Sequence, residues 1–191
     1  MEFARKAYFF TLDLLQTVLL AASIFLVIYI FLFRPFQVSG DSMYPTFKNG
    51  EYILTNLIAV KTNGIQRGDV IVFQAPPDHE KDFIKRVIGL PGDIVELKKG
   101  NVYINGKRLD ESAYLSSDVK TYGGAFLKDG QPFTVPLDNY IVFGDNRPFS
   151  SDSREWGLLA TKAIIGKSFF VYWPINHMRL VHNPFPASLQ K

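Results

Sequence analysis

The stretch "LLQTVLLAASIFLVIYIFLF", from Leu14 to Phe33, divides the chain into two parts of different character. It contains no charged residue, and at about 1.5 Å per residue a helix of this length reaches the ~30 Å thickness of the hydrocarbon core of a bilayer. The sequence therefore predicts a transmembrane helix at 14–33. A short segment at 1–13 precedes it, and one larger domain at 34–191 follows.

Two alternatives to a membrane anchor fit this run less well. A cleaved signal peptide has an apolar region of only about 7 to 15 residues, followed by small residues at the cleavage site. Here the run is longer, "FRPF" at 33–36 closes it, and the small residues Ala21, Ala22 and Ser23 lie inside it. A buried helix of a soluble protein should show one polar face, which this run lacks. The anchor is the favoured interpretation.

The charges that flank the run indicate its orientation only slightly. Arg5 and Lys6 precede it, Arg34 follows it directly, and Lys48 lies further along. The positive-inside rule then favours a cytoplasmic N-terminus. The large domain would lie outside the cell membrane, since long segments translocate largely regardless of their charge.

The composition excludes several classes of protein. Hydrophobic residues make up 47% and charged residues 20% of the 191 residues, which does not suggest disorder. The net charge is +3, but Lys and Arg are scattered, so we expect no nucleic-acid partner. The chain has no cysteine, which excludes disulfides, thiol catalysis and thiolate metal sites and is compatible with either side of a membrane.

After Pro35 the apolar pattern shortens to runs typical of β-strands. These runs are rich in Val, Ile, Phe and Tyr and are separated by Gly, Pro and Asn. The Asn105-Gly106 pair is a strong signal for a type I′ hairpin. The candidate strands are "EYILTNLIAV" (51–60), "GDVIVFQAP" (68–76), "DFIKRVIGL" (82–90), "GDIVELK" (92–98), "NVYINGKRL" (101–109), "NYIVFGDN" (139–146) and "AIIGKSFFVYWP" (163–174).

The stretch 110–136 is polar, rich in glycine and the least regular part of the chain. We interpret it as part of an inserted hairpin and cap region at about 100–136. A linker between two independent domains is the alternative. Neither flank alone has the size expected of a stable domain.

Ser42 lies in "SGDSMYPT" (39–46), close to the predicted membrane exit. A serine in a Gly/Asp/Pro loop is most often a turn residue, and the G-x-S-x-G pattern of hydrolases fails because Tyr44 replaces its second glycine. Ser42 lies nine residues beyond Phe33, and nine extended residues span at most about 30 Å. Any chemistry at Ser42 must therefore occur near the bilayer.

A nucleophilic serine needs a base to take its proton. The chain has 3 histidines, His79, His177 and His182, and all lie in polar or Pro-containing stretches where we expect them to be solvated. A Ser-Lys dyad is the known substitute. It needs a lysine whose pKa falls by roughly 2 to 3 units from ~10.4, which requires an apolar environment.

Lys85 in "DFIKRVIGLPGD" (82–93) meets that condition if it lies on a strand, because it then shares a face with Phe83 and Val87. Arg86 would point to the opposite face. Periodicity alone does not choose which of the two is buried, and a surface lysine is the alternative. Arginine is no usable base because it does not deprotonate.

The stretch "GDNRPFSSDSREWG" (144–157) places acidic, basic and small polar residues directly after an apolar strand. The simplest interpretation is a loop held by salt bridges and Asx turns. A metal site is disfavoured, since Asp145 and Asp152 stand beside Arg147 and Arg154, and two cations next to two carboxylates make a poor cation site.

Together the three stretches resemble the type I signal peptidases, which are membrane-anchored serine endopeptidases. "SGDSMYPT" is similar to the motif S-M-x-P-T, "FIKRVIGLPGD" to K-R-[VI]-x-[GA]-x-x-G-D, and "GDNRPFSSDSREWG" to G-D-N-R…S-x-D-S-R-x-W-G. The resemblance covers the anchor and nearly all of the following domain. It implies Ser42 as the nucleophile and Lys85 as the general base. The supporting residues it implies are Ser150, which would orient the lysine, and Asp145, Asp152 and Arg154, which would brace the site.

The chain departs from the family pattern at two places. Some members carry a serine two positions before the nucleophile that helps to stabilise the oxyanion, and here that position is Gly40. The Ser42 N–H would then donate a hydrogen bond to the oxyanion, and Ser39 is a weak candidate for a second donor. Pro148 and Phe149 stand where polar residues are common, and the adjacent Ser150 and Ser151 make the orienting role ambiguous; spacing favours Ser150.

The resemblance also implies the fold, the substrate and the reaction. The fold is mostly β, an antiparallel catalytic domain of signal-peptidase type on one N-terminal transmembrane helix. The substrate is the extended end of a signal peptide of a secretory preprotein, small at the first and third positions before the scissile bond. We expect it to bind by strand addition, and the reaction to proceed through an acyl-enzyme without a cofactor or metal. The residues expected to bind substrate are Phe36, Gln37, Val38, Ser39, Met43, Asp82, Phe83 and Ile84.

Two other functions stay open on the sequence. A self-cleaving repressor-type protease uses the same Ser-Lys chemistry, but has a DNA-binding or polar N-terminal part where this chain has an apolar helix. A non-enzymatic, membrane-anchored β module would tolerate the loss of Ser42 and Lys85. Stoichiometric reaction of Ser42 with a serine-directed acylating probe distinguishes the enzyme from the module.

Overall fold

The computed structural model describes residues 2–62 and 64–190 of the chain. A long helix, α1 (Glu2–Phe31), contains most of the uncharged run and extends well ahead of it. It is long and apolar enough to cross a membrane, and none of its most hydrophobic window is buried against the rest of the protein. Leu32 forms a turn, and the chain enters its first strand at Phe33.

The rest of the described chain is mostly antiparallel β-sheet with three-residue and four-residue helical turns between the strands. The predicted fold class is therefore confirmed. The strands are β1 (Phe33–Gln37), β2 (Tyr52–Asn56), β3 (Val70–Ala75), β4 (Asp78–Gly89), β5 (Ile94–Lys98), β6 (Asn101–Ile104), β7 (Lys107–Arg108), β8 (Phe133–Thr134), β9 (Asn139–Phe143), β10 (Leu159–Ala160), β11 (Ile164–Trp173) and β12 (Arg179–Leu180). The short α-helices are α2 (Ala59–Thr62) and α3 (Ser153–Trp156).

The strands form two sheets. The larger has the order β1-β2-β11-β3-β4-β9-β10, with β12 added beside β11, and the smaller has the order β7-β6-β5-β8. Every strand pair is antiparallel. One core joins the two sheets, because Ile88 and Ile141 of the larger sheet pack with Val95 and Leu97 of the smaller one.

The second half of β4 is buried on both faces, which is unusual for an antiparallel strand. Val87 packs into a cluster with Ile71 and Phe73, whereas its neighbour Ile88 packs into the core shared with the small sheet. Residues on both faces of this strand are therefore shielded from water. The consequence for Lys85 and Arg86 is that neither side chain reaches the surface.

The predicted strands differ from the structure most clearly at one boundary and at one strand that was not predicted. A strand was predicted at 51–60, but the observed strand ends at Asn56. The Asn56 side chain accepts hydrogen bonds from the Ile58 and Ala59 N–H groups, and these bonds start α2. β1 was not among the predicted strands. It contains Pro35, which a sheet tolerates at an edge, and β1 is an edge strand.

The Asn105-Gly106 pair forms the predicted tight hairpin between β6 and β7. Both residues have positive φ, 51° and 79°, as a type I′ turn requires. The chain from Asp110 to β8 is mostly turns and packs beside the end of β9 through Glu111, whose carboxylate receives Arg147. The limits of an inserted region at about 100–136 stay a prediction; the small sheet already begins at Ile94.

Candidate active site

Ser42 lies in the loop that joins β1 to β2, here called the nucleophile loop (39–50). The base of this loop is closed by two backbone hydrogen bonds, from Val38 N to Glu51 O at 2.8 Å and from Gly50 N to Val38 O at 2.9 Å. Met43 and Phe47 are buried in the core and anchor the loop from below. Ser42, between β1 and these anchors, stays partly exposed.

The Ser42 hydroxyl meets Lys85 of β4. Lys85 Nζ lies 2.8 Å from Ser42 Oγ and donates to the Ile84 carbonyl at 2.9 Å. The lysine is only 4% exposed, and its ammonium lies 5.1 Å from the centre of the Phe83 ring. The structure thus brings together the two residues that the sequence predicted as nucleophile and base, and it places the lysine in an apolar setting.

The surroundings of Lys85 favour its neutral form. Burial lowers the pKa of Lys85 to about 8, against the opposing effect of the Asp152 and Asp145 carboxylates. A charged amine is poorly solvated in such a site, and among residues 2–62 and 64–190 the nearby carboxylates of Asp145 and Asp152 form their ion pairs with arginines and not with Lys85. A lysine with this pKa can accept a proton from a serine near neutral pH.

Arg86, the next residue on β4, is equally buried on the opposite face. Its guanidinium binds Asp145 through two hydrogen bonds, at 2.9 and 2.7 Å, and lies 4.2 Å from the centre of the Tyr114 ring. Asp145 also accepts a 2.5 Å hydrogen bond from the Thr46 hydroxyl. Asp145 therefore connects the strand that carries Lys85 to the loop that carries Ser42.

A second buried ion pair braces the segment 144–157. Asp152 receives Arg154 through two 2.8 Å hydrogen bonds and accepts the Gly144 N–H at 3.0 Å. Arg154 in turn donates to the Arg147 carbonyl at 2.6 Å. The segment reaches the nucleophile loop directly, because Asn146 N donates to Ser42 O at 3.0 Å. Asp145, Asp152 and Arg154 are thus held in buried ion pairs beside the dyad, and their bracing role stays a prediction.

Ser150 and Ser151 occupy different places. The Ser150 hydroxyl is buried, forms no hydrogen bond within the described chain, and lies close to Gly144. Ser151 lines the same groove as Ser42 and Lys85. Lys85 donates to neither of them. Ser150 as the residue that orients Lys85 therefore stays a prediction.

Gly40 has a backbone reason to be glycine. Its φ is +88°, which side chains other than glycine rarely adopt, and its N–H donates to Asn49 Oδ1 at 3.0 Å. A serine would be strained at this φ, so the backbone of the loop favours glycine at position 40. The Ser42 N–H, by contrast, has no acceptor within the described residues, and Ser39 lines the groove beside it.

A groove with a volume of about 220 Å³ leads to Ser42 and Lys85. The predicted substrate-binding residues that line it are Phe36, Gln37, Val38, Ser39, Asp82, Phe83 and Ile84. Met43 is the exception, because its side chain is 1% exposed and packs into the core below the loop. Ile53 and Val72, which were not predicted, complete the apolar floor.

The two strands that border the groove have backbone groups available for pairing. Among the strands of the described residues, β1 lies at an edge and pairs with β2 alone. β9 pairs with Arg86, Val87 and Gly89 of β4, and therefore leaves the segment 82–85 unpaired on that side within the described chain. An extended peptide can add a strand between such edges.

Several residues of this site were not assigned from the sequence. Thr46 and Arg86 lie inside the quoted motifs, and this position in the sequence indicates that they belong to the site. Asn146 lies in "GDNR", so its place in the site could be inferred from the sequence in the same way. Glu111 and Tyr114, which contact Arg147 and Arg86, come from the irregular stretch 110–136 and had no local signal.

Comparison with known proteins identifies the family of this chain. The family model "Signal peptidase, peptidase S26" matches residues 11–173. The chain is 38% identical to signal peptidase IB of Staphylococcus aureus strain MRSA252, over 90% of this chain and 96% of that protein. It is 42% identical to signal peptidase I S of Bacillus subtilis strain 168, over 88% and 92% of the two chains.

A solved structure is also similar. The crystal structure of a signal peptidase I from Enterococcus faecalis V583 has 34% sequence identity and a TM-score of 0.43, and the match covers 53% of this chain and 94% of that one. The family model spans most of the chain, and the two relatives are matched along almost their whole length. The chain therefore belongs to the signal peptidase family, peptidase S26.

Proposed function

We propose that this protein removes signal peptides from secretory preproteins, with Ser42 as the nucleophile and Lys85 as the general base. The observation that carries this proposal is the 2.8 Å contact between Ser42 Oγ and a buried Lys85 Nζ at the end of an open groove. Membership of the signal peptidase family supports the substrate class. The buried ion pairs of Asp145 and Asp152 hold the elements on which the two residues stand.

The reaction follows from the positions of these groups. Ser42 Oγ attacks the scissile carbonyl carbon while neutral Lys85 takes the hydroxyl proton. The oxyanion forms beside the Ser42 N–H, and the tetrahedral intermediate collapses as Lys85 passes the proton to the departing amine. Water, deprotonated by Lys85, then attacks the acyl-enzyme and releases the signal peptide with a free carboxylate. Ser42 regains its proton, and no cofactor is consumed.

The groove suits a narrow, extended substrate. Strand edges at Phe36–Ser39 and Asp82–Ile84 offer backbone hydrogen bonds that do not depend on sequence, and the small apolar volume admits only small side chains. We infer that residues of the signal peptide bind here with small side chains pointing to the floor. Replacing the residue before the scissile bond with leucine should reduce cleavage at least tenfold, and equal cleavage would contradict this binding mode.

The dyad is tested by Ser42→Ala and Lys85→Met, each purified in detergent and assayed with a preprotein. We expect each change to lower kcat by more than about 10³-fold, because both steps of the reaction need both groups. Lys81→Met is the matched control, since Lys81 is an exposed lysine on the same strand. Substantial cleavage by a folded Ser42→Ala or Lys85→Met variant would refute the assignment.

We also propose a topology, with the N-terminus of α1 in the cytoplasm and the β domain outside the cell membrane. The slight excess of Arg5 and Lys6 ahead of the apolar run supports it, as does the need to meet signal peptides on the outer face. The chain has no cysteine, so labelling of a single introduced cysteine shows on which side of the membrane that cysteine lies. An impermeant maleimide should label Ser117→Cys, but not Glu2→Cys, in intact cells. The reverse labelling pattern would overturn this orientation.

A further inference from the structure

The C-terminal segment 174–190 lies beyond the residues that the family model matches, yet it is part of the domain. Within it, β12 pairs with β11 and places Arg179 opposite Val171. Phe185 is 4% exposed and belongs to the core that joins the two sheets. The segment is therefore fixed against the domain, and Arg179 is held next to the nucleophile loop.

The Arg179 guanidinium contacts the nucleophile loop at two places. It binds both carboxylate oxygens of Glu51, at 2.8 and 2.6 Å, directly after the end of the loop. It also donates to the Thr46 carbonyl at 2.6 Å, near the middle of the loop. The guanidinium also lies over the Phe47 ring, with 5.7 Å between Cζ and the ring centre. One side chain thus joins the middle of the loop to its base.

Glu51 is well suited to receive this arginine. It is 1% exposed, and its carboxylate also accepts the Lys48 N–H at 3.1 Å. Burial raises the pKa of Glu51, but the hydrogen bonds from Arg179 and the Lys48 N–H outweigh this effect and bring the pKa below its usual value. A buried carboxylate paired in this way is costly to leave without its partner, so the contact is maintained.

The position of Thr46 connects these contacts to the chemistry. Its carbonyl receives Arg179, whereas its hydroxyl donates to Asp145, the partner of Arg86. Arg86 is the neighbour of Lys85 on β4. A displacement of Thr46 would therefore move the loop that carries Ser42 relative to the strand that carries Lys85.

We propose that Arg179, acting through Glu51 and the Thr46 carbonyl, is a positioning residue that keeps Ser42 within hydrogen-bonding distance of Lys85. This inference rests on the proposed function of that dyad. It assigns to the C-terminal segment a role in the rate of the chemical step. Misplacement of a reacting group by about 1 Å can cost on the order of 10²-fold in rate, so removal of the contact should be visible in kcat.

The test compares Arg179→Gln and Arg179→Lys with the unaltered full-length protein in detergent. We expect Arg179→Gln to lower kcat by about 10- to 100-fold with KM changed less than about threefold, because the groove residues are not touched. Acylation of Ser42 by a serine-directed probe should slow by the same factor. Arg179→Lys keeps the charge but not the two-pronged contact, and we expect a loss of about 5- to 20-fold.

Arg67 provides a matched control for loss of stability alone. It also binds a carboxylate, that of Asp93 at 2.8 Å, and a carbonyl of the C-terminal segment, Leu189 O at 2.8 Å, but it does not contact the nucleophile loop. Arg67→Lys should lower the Tm while kcat stays within about threefold. A merely structural Arg179 would behave in the same way.

Two outcomes overturn the inference. One is a folded Arg179→Gln variant, or Arg179→Lys if the first does not fold, whose kcat is within about threefold of the unaltered protein. The other is an Arg67→Lys variant that loses as much kcat as Arg179→Lys. Failure of the unaltered protein to cut the preprotein would instead count against the proposed function itself.

The double variant Glu51→Gln with Arg179→Gln should be no slower than the slower of the two single variants, because each single change already removes the same contact.

Discussion

At the scale of single residues, the contrast between Lys85 and Arg86 explains why this site has a base at all. Both side chains are almost completely buried, at 4% and 2% exposure. Arg86 has a carboxylate partner and stays charged, whereas Lys85 has a hydroxyl, a carbonyl and an aromatic ring as its nearest polar and apolar neighbours. Burial without a paired carboxylate turns an ordinary lysine into a proton acceptor.

The lowered pKa of Lys85 predicts the pH dependence of the enzyme. Because the neutral amine is the active form and its pKa is about 8, kcat/KM should rise as pH increases and level off above about pH 9. About a tenth of the lysine is neutral one unit below its pKa and about nine-tenths one unit above. Values of kcat/KM for a soluble peptide substrate between about pH 6 and about pH 10 measure this rise and its plateau. A flat profile would argue against a titrating lysine base.

At the scale of elements, the site depends on the close approach of two loops. Segment 144–157 carries Asp145 and Asp152, and its first residue, Gly144, lies against the nucleophile loop. A Cβ on Gly144 would collide with the Ser42 carbonyl and the Ser150 side chain. The lack of a side chain at Gly144 therefore sets how closely the two loops meet.

Gly144→Ala should consequently separate the loops and lower activity by at least tenfold, together with a loss of stability of about 1–3 kcal/mol. The measurements are kcat with a preprotein and the Tm. Gly89→Ala is the matched control, since a Cβ there would also be crowded, by Val95 and Ile141, but far from the dyad. The control should lower the Tm without a comparable fall in kcat. Equal kcat losses in both variants would mean that Gly144 acts only through stability.

The elements were predictable to different degrees. The strand that carries Lys85 and the Asn105-Gly106 hairpin have local signals, namely a run of β-branched residues and a turn that needs two positive φ angles. Strand β1 contains Pro35 and β12 has only two residues, so neither has a periodic pattern. Their pairing is decided by the strands beside them, which no local window contains.

At the scale of the whole molecule, α1 and the β domain are separate in their packing. The most hydrophobic window of α1 is not buried against the domain, and the helix joins it directly through β1. Because β1 leads from α1 into the nucleophile loop, we propose that α1, as a membrane anchor, keeps the dyad close to the membrane surface. We therefore expect the helix to position the site without stabilising the fold.

Removal of residues 1–31 should therefore leave a folded domain. We expect its Tm to lie within about 2 °C of that of the detergent-solubilised full chain, because no core contact is lost. Cleavage of a soluble peptide should persist, while cleavage of a preprotein inserted in vesicles should fall. A domain that unfolds on removal of the helix would show that α1 contributes to the core.

The sequence by itself determined the apolar helix, the antiparallel β class and the identity of Ser42 and Lys85 as the candidate dyad. Each of these depends on local composition, on a period along the chain or on a motif. Only the tertiary structure decided that both Lys85 and Arg86 are buried, that Met43 belongs to the core and not to the groove, and that Glu51 meets Arg179. The physical reason is that burial and pairing arise when distant strands and loops pack together, and their partners are far apart in the chain.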